Sequence, residues 1–258
     1  MSVDLPSLRA RYIWSRDFQV FRKYFLSSIL PSFAEPLLYI IALGYGLGFF
    51  VGNIGGLPYP QFLAPGILSY SAMFAASSEC TYSTFVRMIY QKTFDAVLST
   101  PVNVEDIVLG EILWGATKSL ISGVCIFIVI FALGLVRPES ILVIAPVVML
   151  VGLMFASLGM LFTSIVPTID SFNYYFTLVI SPMFLLSGVF FPISGSNLPA
   201  IVPTIAWFMP LTHAVDVIRP AALGQYSWSF LGDILWMAVF TLACYVLSTV
   251  LMKRRLIQ

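Results

Sequence analysis

The chain has 258 residues, is 59% hydrophobic and only 10% charged, with a mean hydropathy of +0.96. A soluble domain carries about 25% charged residues, so the composition is that of an integral membrane protein. A net charge of +1 with no basic, aromatic-interleaved patch argues against nucleic acid as a partner. One histidine and no His/Cys/carboxylate cluster argue against a metal site. No GxxxxGK[ST] occurs, so the chain is not its own ATPase by the P-loop route.

Residues 1–28 read as a cytoplasmic tail with an amphipathic helix and no removable signal peptide. Trp14, Phe18, Phe21 and Phe25 recur at helical spacing, with Arg9, Arg16 and Lys23 on the opposite face. That pattern describes a helix lying in the membrane interface with its basic side towards anionic headgroups. The alternative is a frayed tail with snorkelling arginines.

Residues 29–258 read as an all-α unit of six spans: Ile29–Val51, Gln61–Phe85, Ile107–Val136, Ile141–Val166, Phe172–Phe191 and Phe230–Met252. Gly44, Gly48 and Gly52 in the first span, and Gly115, Ser119 and Gly123 in the third, form stripes that let helix backbones approach closely. Cys80, Cys125 and Cys244 lie in apolar runs and are expected to pack as small hydrophobes.

The region 87–106 joins the second and third spans. Thr93 is placed to cap a short helix carrying Phe94, Val97 and Leu98 on one side, and Pro101 follows it. Asn103 and Asp106 form a capping arrangement for the third span. An apolar side with no membrane to bury it suggests docking onto another protein; the bland alternative is a connecting loop.

The region 192–220 is apolar, yet Pro192, Gly195, Pro199, Pro203 and Pro210 interrupt it too often for one spanning helix. Broken backbone at membrane depth survives only where protein or a wet cavity covers it. The region reads as a re-entrant helical pair, with Phe191, Pro192, Pro210, His213, Asp216 and Arg219 as gate residues. His213, Asp216 and Arg219 share one helix face by their spacing, and an Asp216–Arg219 ion pair is expected to hold the returning arm. The same spacing also suits a purely local anchor. Trp207, Tyr226 and Trp228 fit an outer aromatic belt.

Ten basic residues (Arg9, Arg11, Arg16, Arg22, Lys23, Arg87, Lys92, Lys253, Arg254, Arg255) lie in one set of loops and ends, against Arg137 and Arg219 in the other. This asymmetry places both termini in the cytoplasm and the re-entrant pair outside. Three ionisable residues are read as lying within the spans: Glu35, Glu79 and Lys118. A charge at membrane depth costs several kcal/mol and calls for a partner or a wet cavity. Lys118 pairing with one carboxylate is one reading; an inner-leaflet pocket for a substrate headgroup is the other.

These elements, with the segments SGVFFPISGSNLPAIVPTIAWFMPLTHAVDVIRP, GGLPYPQFLAPGILSYSAMFAASSECTY, DIVLGEILWGATKS, FASLGM and TLVISPMFLLSG, resemble the permease subunit of type-2 ABC exporters. Within that family they resemble the NodJ-like permeases, which export lipo-chitooligosaccharide. The resemblance covers nearly the whole chain and implies a homodimer of permeases in the bacterial inner membrane, working with two copies of a separate ATPase subunit. It implies a coupling contact at Arg87, Thr93, Phe94, Asp95, Val97, Leu98 and Pro101, and a lateral opening for an amphipathic, glycolipid-like substrate. ATP and Mg would be bound by the partner, and no cofactor by this chain. A permease for a drug or other lipid-like molecule fits the same pattern. A lipid-modifying enzyme would need a nucleophile or metal cluster, and none is visible; an ion-coupled secondary transporter would need inverted repeats, and none is evident.

Overall fold

The computed structural model describes residues 7–193, 199 and 201–256, the side chains at positions 26, 29 and 31–33 excepted. Helix α1 (Ala10–Lys23) is followed by α2 (Phe25–Tyr39), which runs on through a π-helical stretch (Ile40–Leu47) to Val51. A hairpin of two short strands, β1 (Asn53–Ile54) and β2 (Leu57–Pro58), comes next. Helix α3 (Tyr59–Ser78) continues through π-helical turns to Tyr90. Then follow α4 (Thr93–Leu98), α5 (Val104–Ala132), α6 (Ile141–Ile165) and the interrupted α7 (Phe172–Leu186). The last elements are α8 (Ile201–Trp207), α9 (Pro210–Ala222) and α10 (Phe230–Leu256).

Helix α2 ends at Gly52 because that residue adopts φ +71°, open to glycine without strain. Gly52 is thus a helix stop and not part of a packing stripe. The turn at Gly55 (φ +59°) and Gly56 (φ +82°) has the two left-handed residues of the tightest hairpin loops. Among the described residues, this hairpin is the one departure from the all-α reading.

The core is built where α3, α5 and α6 meet, and small residues set the spacing there. A Cβ on Gly152 of α6 would lie 2.7 Å from Ser119 Cβ and 2.9 Å from Ala116 Cα of α5. A Cβ on Gly115 would lie 2.6 Å from Cys80 Sγ, and one on Gly123 2.7 Å from a Val148 methyl. The stripe read on the third span therefore packs as expected. The first-span stripe does not press as closely: a Cβ on Gly44 or Gly48 would lie 3.5 Å or more from Leu63, Pro60 and Tyr59. Leu63, Ile67, Met73, Val151 and Phe155 are fully buried at this centre.

Among the described residues, four helical segments are long and apolar enough to cross a membrane: Ala34–Val51, Val104–Ala132, Pro138–Ile165 and Phe230–Leu256. A fifth is obtained if α8 and α9, bent by 88°, count as one broken span. Helix α3 has the length, but its serine-rich sequence is less apolar because the rest of the chain covers most of it. The bend between α8 and α9 falls at Phe208 and Met209, just before Pro210, which opens α9 at a position that needs no N–H bond. Gly195, part of the reading for this region, lies outside the described residues.

Helix α1 packs along α5 and does not lie free in the interface. Ala10, Ile13, Asp17 and Phe21 form its buried line. Gly110 of α5 makes the contact possible, since a Cβ there would come within 2.5 Å of Ile13 Cβ and 2.8 Å of the Ala10 carbonyl. Phe18 and Phe25 remain exposed. Arg16, expected on the solvent-facing basic side, is turned inward.

Candidate functional site

The inward turn of Arg16 is explained by what it meets. Its Nη2 lies 2.8 Å from Glu111 Oε1, on a fully buried carboxylate of α5. The other oxygen of Glu111 accepts from Arg87 Nη2 at 2.5 Å and from the Thr84 hydroxyl at 2.8 Å. Arg87 then forks to Glu79 Oε1 at 2.9 Å. Glu79 completes its shell with Trp114 Nε1 at 3.1 Å and Lys118 Nζ at 2.8 Å. The Lys118–Glu79 pair is thus formed, but as the end of a chain of charges that joins α1, α3 and α5. Asp17, 2.8 Å from Arg16, closes the other end.

This network forms one wall of a cavity of about 470 Å³, also lined by Phe21, Tyr24, Tyr82 and Gln91. Glu35 takes no part in it. Its carboxylate accepts from the Tyr70 hydroxyl at 3.0 Å, and the Tyr70 ring stacks on Phe184 at 3.8 Å. The predicted trio is therefore split into a pair and a separate residue. Glu111, which lies inside the expected third span, was not counted among its charges; Glu111, Trp114 and Lys118 recur at i, i+3 and i+7, which is the signal for one helix face.

Asp17 lies on α1, outside the spans, and its pKa is pushed up to about 7 from an ordinary 3.8. Burial is the main cause, and the Glu111 carboxylate adds to it; Arg87 and Arg16 only partly offset them. An acid whose pKa is raised on folding binds its proton more tightly in the folded state. Its contribution to stability therefore falls as pH rises from about 4 to about 7 and is level above that. Asp17→Asn is expected to flatten that slope, as read by thermal unfolding across pH 4–8 against the parent chain.

The short helix after the second span is present as α4, but its parts are arranged differently from the expectation. Phe94 is fully buried within the chain, and Val97 and Leu98 are half-buried against the same core. They are not a free docking face; the outward face is Asp95, Ala96 and Ser99. Thr93 does not cap the helix: Lys92 holds that position at φ +51°, with no side-chain cap bond. Arg87 is likewise an inward residue of the network and not a surface contact. The capping box at Asn103 and Asp106 is formed as read. Asp106 also accepts from the backbone N–H and hydroxyl of Ser7, and Arg9 donates to the Pro101 carbonyl. The segment before α1 thus grips both ends of the turn that leads from α4 into α5.

At the other end of the molecule the Asp216–Arg219 pair is not made. Arg219 donates through Nε to the Phe62 carbonyl at 3.0 Å, and through Nη2 to those of Gly188 (2.7 Å) and Val189 (3.2 Å). Its guanidinium also lies 3.9 Å over the Phe62 ring. Gly66 leaves the room, as a Cβ there would sit 3.2 Å from Arg219 Nη2. Arg219 is a staple between α9, α3 and the turn after α7. His213 is a second staple: Nδ1 meets Asp233 Oδ1 of α10 at 2.8 Å, and Nε2 meets the Trp207 carbonyl at 2.9 Å. Phe191 and Pro192 are half-buried, Pro210 is buried and Asp216 is exposed.

The long apolar helices and the broken helical pair before the last helix are those of a multi-pass membrane protein. Residues 9–223 match the family model described as "ABC-2 type transporter". The chain is 43% identical over 246 residues to "Nodulation protein J" of Rhizobium leguminosarum bv. trifolii, an alignment covering 95% of this chain and 93% of that one. It is 41% identical to "Nodulation protein J" of Rhizobium meliloti (strain 1021), over 95% and 92% of the two chains. A more distant likeness, 24% over 58% of each chain, is to "Inner membrane transport permease YadH" of Escherichia coli (strain K12). The chain belongs to the ABC-2 type transporter family.

Proposed function

We propose that the protein is the permease subunit of an ATP-driven exporter that moves an amphipathic molecule, in particular a lipid-linked saccharide or lipo-oligosaccharide, across a bacterial inner membrane. In this reading it has six spans, with α3 and α7 supplying the two that are less apolar, and both termini are cytoplasmic. Two permease copies work with two copies of a separate subunit that binds ATP and Mg. Family membership supports the transport class, and the substrate class is inferred from the likeness to the NodJ-like permeases.

The observation that carries the mechanism is the grip on α4. Before it, Arg87 ties the chain to Glu79 and Glu111. After it, Pro101 and Asp106 are held by Arg9 and Ser7. A push on the exposed face of α4 by a nucleotide-driven partner would pass into α1, α3 and α5 as one body, since paired charges in a low-dielectric site resist separation. A headgroup would enter at the cavity beside Lys118 and Glu79 and leave past α8 and α9. Glu35 is too separate in its bonding to share that entry site.

The purified permease is expected to hydrolyse no ATP alone, and to do so only in complex with a co-expressed ATP-binding subunit. Hydrolysis by the lone permease, free of other chains, would overturn the energetic assignment.

A further inference from the structure

Helix α8 is thinly held. Of its residues only Ala206 is buried, and Trp207 keeps 54% of its surface exposed. The end of α8 is tied to α9 through the Trp207 carbonyl, which lies 2.9 Å from His213 Nε2. The other ring nitrogen of His213, Nδ1, lies 2.8 Å from Asp233 Oδ1 on α10.

Both of these partners only accept. A main-chain carbonyl has no proton to give, and neither has an ionised aspartate. A neutral imidazole carries one N–H, so it satisfies one partner and turns a lone pair on the other. The imidazolium satisfies both. The ring face points to the same state: Trp236 of α10 stacks on His213 with centroids 4.2 Å apart and planes 25° from parallel, and an indole face attracts a cation.

The other charges near the ring are few. Asp233 meets it directly and is the only charged residue of α10 before Lys253. Asp216, one turn further along α9, interacts with Asp233, Arg219 and His213. Arg219 is committed to the carbonyls of Phe62, Gly188 and Val189. Helices α3 (as far as Ser78), α6 and α7 also pack on α9 and bring no charged side chain to it, and neither does α8. The cluster therefore holds two carboxylates against one guanidinium, and a positive ring makes it neutral.

Loss of the Nε2 proton to water has a defined result. Asp233 keeps the Nδ1–H, because a charged acceptor makes the stronger bond. The Nε2 lone pair then faces the oxygen of the Trp207 carbonyl, and α8 loses this tie to α9 beside the 88° bend.

We propose that His213 is a proton-held clasp, which closes α8 onto α9 and α10 as an imidazolium and releases α8 as a neutral ring. Closure belongs to low pH and release to rising pH, since histidine sheds its charge between about pH 5 and 8. That α8 borders an exit route rests on the transport reading above; the proton-dependent tie does not.

The test uses the full chain in lipid nanodiscs, without a polyhistidine tag, labelled with 15N-histidine. The chain has a single histidine, so every ring signal is that of His213. Expected are two protonated ring nitrogens at about pH 5 and only Nδ1 protonated at about pH 9. Backbone hydrogen exchange over Ile201–Phe208 is measured at the same two pH values, relative to an unstructured peptide of that sequence. It should speed up about tenfold at the higher pH, the effect of losing one charge-assisted hydrogen bond. His213→Gln does not titrate, and its relative exchange should be the same at both. Asp17 also titrates in this interval, at the opposite end of the molecule, so the local exchange of α8 is the readout and not the melting temperature. A single protonated nitrogen at about pH 5, two at about pH 9, unchanged exchange of α8 in the parent, or a pH-dependent exchange that survives in His213→Gln overturns the proposal. If His213→Gln fails to fold, the three readouts on the parent chain still decide. None of them involves an ATP-binding subunit, so this proposal and the transport reading fail separately.

Discussion

Arg87→Leu is expected to cost about 3–5 kcal/mol, the range for removing one member of a buried ion pair. The substitution strips a short bond from Glu111 and another from Glu79, two carboxylates that the protein covers almost completely. Carboxylates left unpaired there have no water to turn to. Folded chains are stable by only about 5–15 kcal/mol, so the variant should accumulate poorly and unfold at lower temperature in fluorescence-detected gel filtration. Adding Glu111→Gln removes the surplus charge and should recover part of the loss. Lys118→Met should be milder, because Glu79 keeps Arg87 and Trp114. An Arg87→Leu chain that melts with the parent would show that the network does not join α1, α3 and α5 energetically.

The network also marks where a sequence stops being informative. Glu79 and Lys118 were legible because each is a charge inside an apolar run, and such a charge must have a partner. Pairing of Lys118 with one carboxylate was one of two readings, and only the structure makes that carboxylate Glu79. Glu111 stands near the start of a long helix, where a carboxylate ordinarily faces headgroups, and only its tertiary partners reveal it as the most buried member. Arg16 and Asp17 were hidden for a related reason. Helical periodicity sorts side chains into faces, but residues at the edge of a face turn whichever way their partners lie.

The end that carries α8 and α9 repeats the lesson with main-chain atoms. An i, i+3 spacing makes an Asp216–Arg219 pair plausible on paper, yet Arg219 binds carbonyls of Phe62, Gly188 and Val189, groups present at every position and so silent in a sequence. The partner of His213 is twenty residues away on another helix. By contrast, the helix break before Pro210, the capping box at Asn103 and the glycine contacts of α5 were legible, because each is set by local backbone chemistry. The hairpin was announced only by Gly55-Gly56, since strands of two residues carry no periodicity.

Helix α4 shows the functional consequence of the same limit. Its apolar side was legible; what covers that side was not, and the cover is the chain's own core. Two neighbouring substitutions on this helix should therefore separate folding from coupling. Phe94→Asp would place a charge at a fully buried position, and an unpaired buried charge costs several kcal/mol. The expected outcome is loss of folded protein, visible as aggregation in gel filtration before any partner is added. Ala96→Arg changes the exposed face of the same helix and should leave the permease monodisperse with an unchanged melting temperature. It should nevertheless lose co-purification with the ATP-binding subunit, or keep it and lose permease-dependent ATP hydrolysis. A stable Phe94→Asp chain would contradict the inward packing of α4. An Ala96→Arg permease that binds and stimulates its partner normally would remove α4 from the path by which ATP energy reaches the membrane helices.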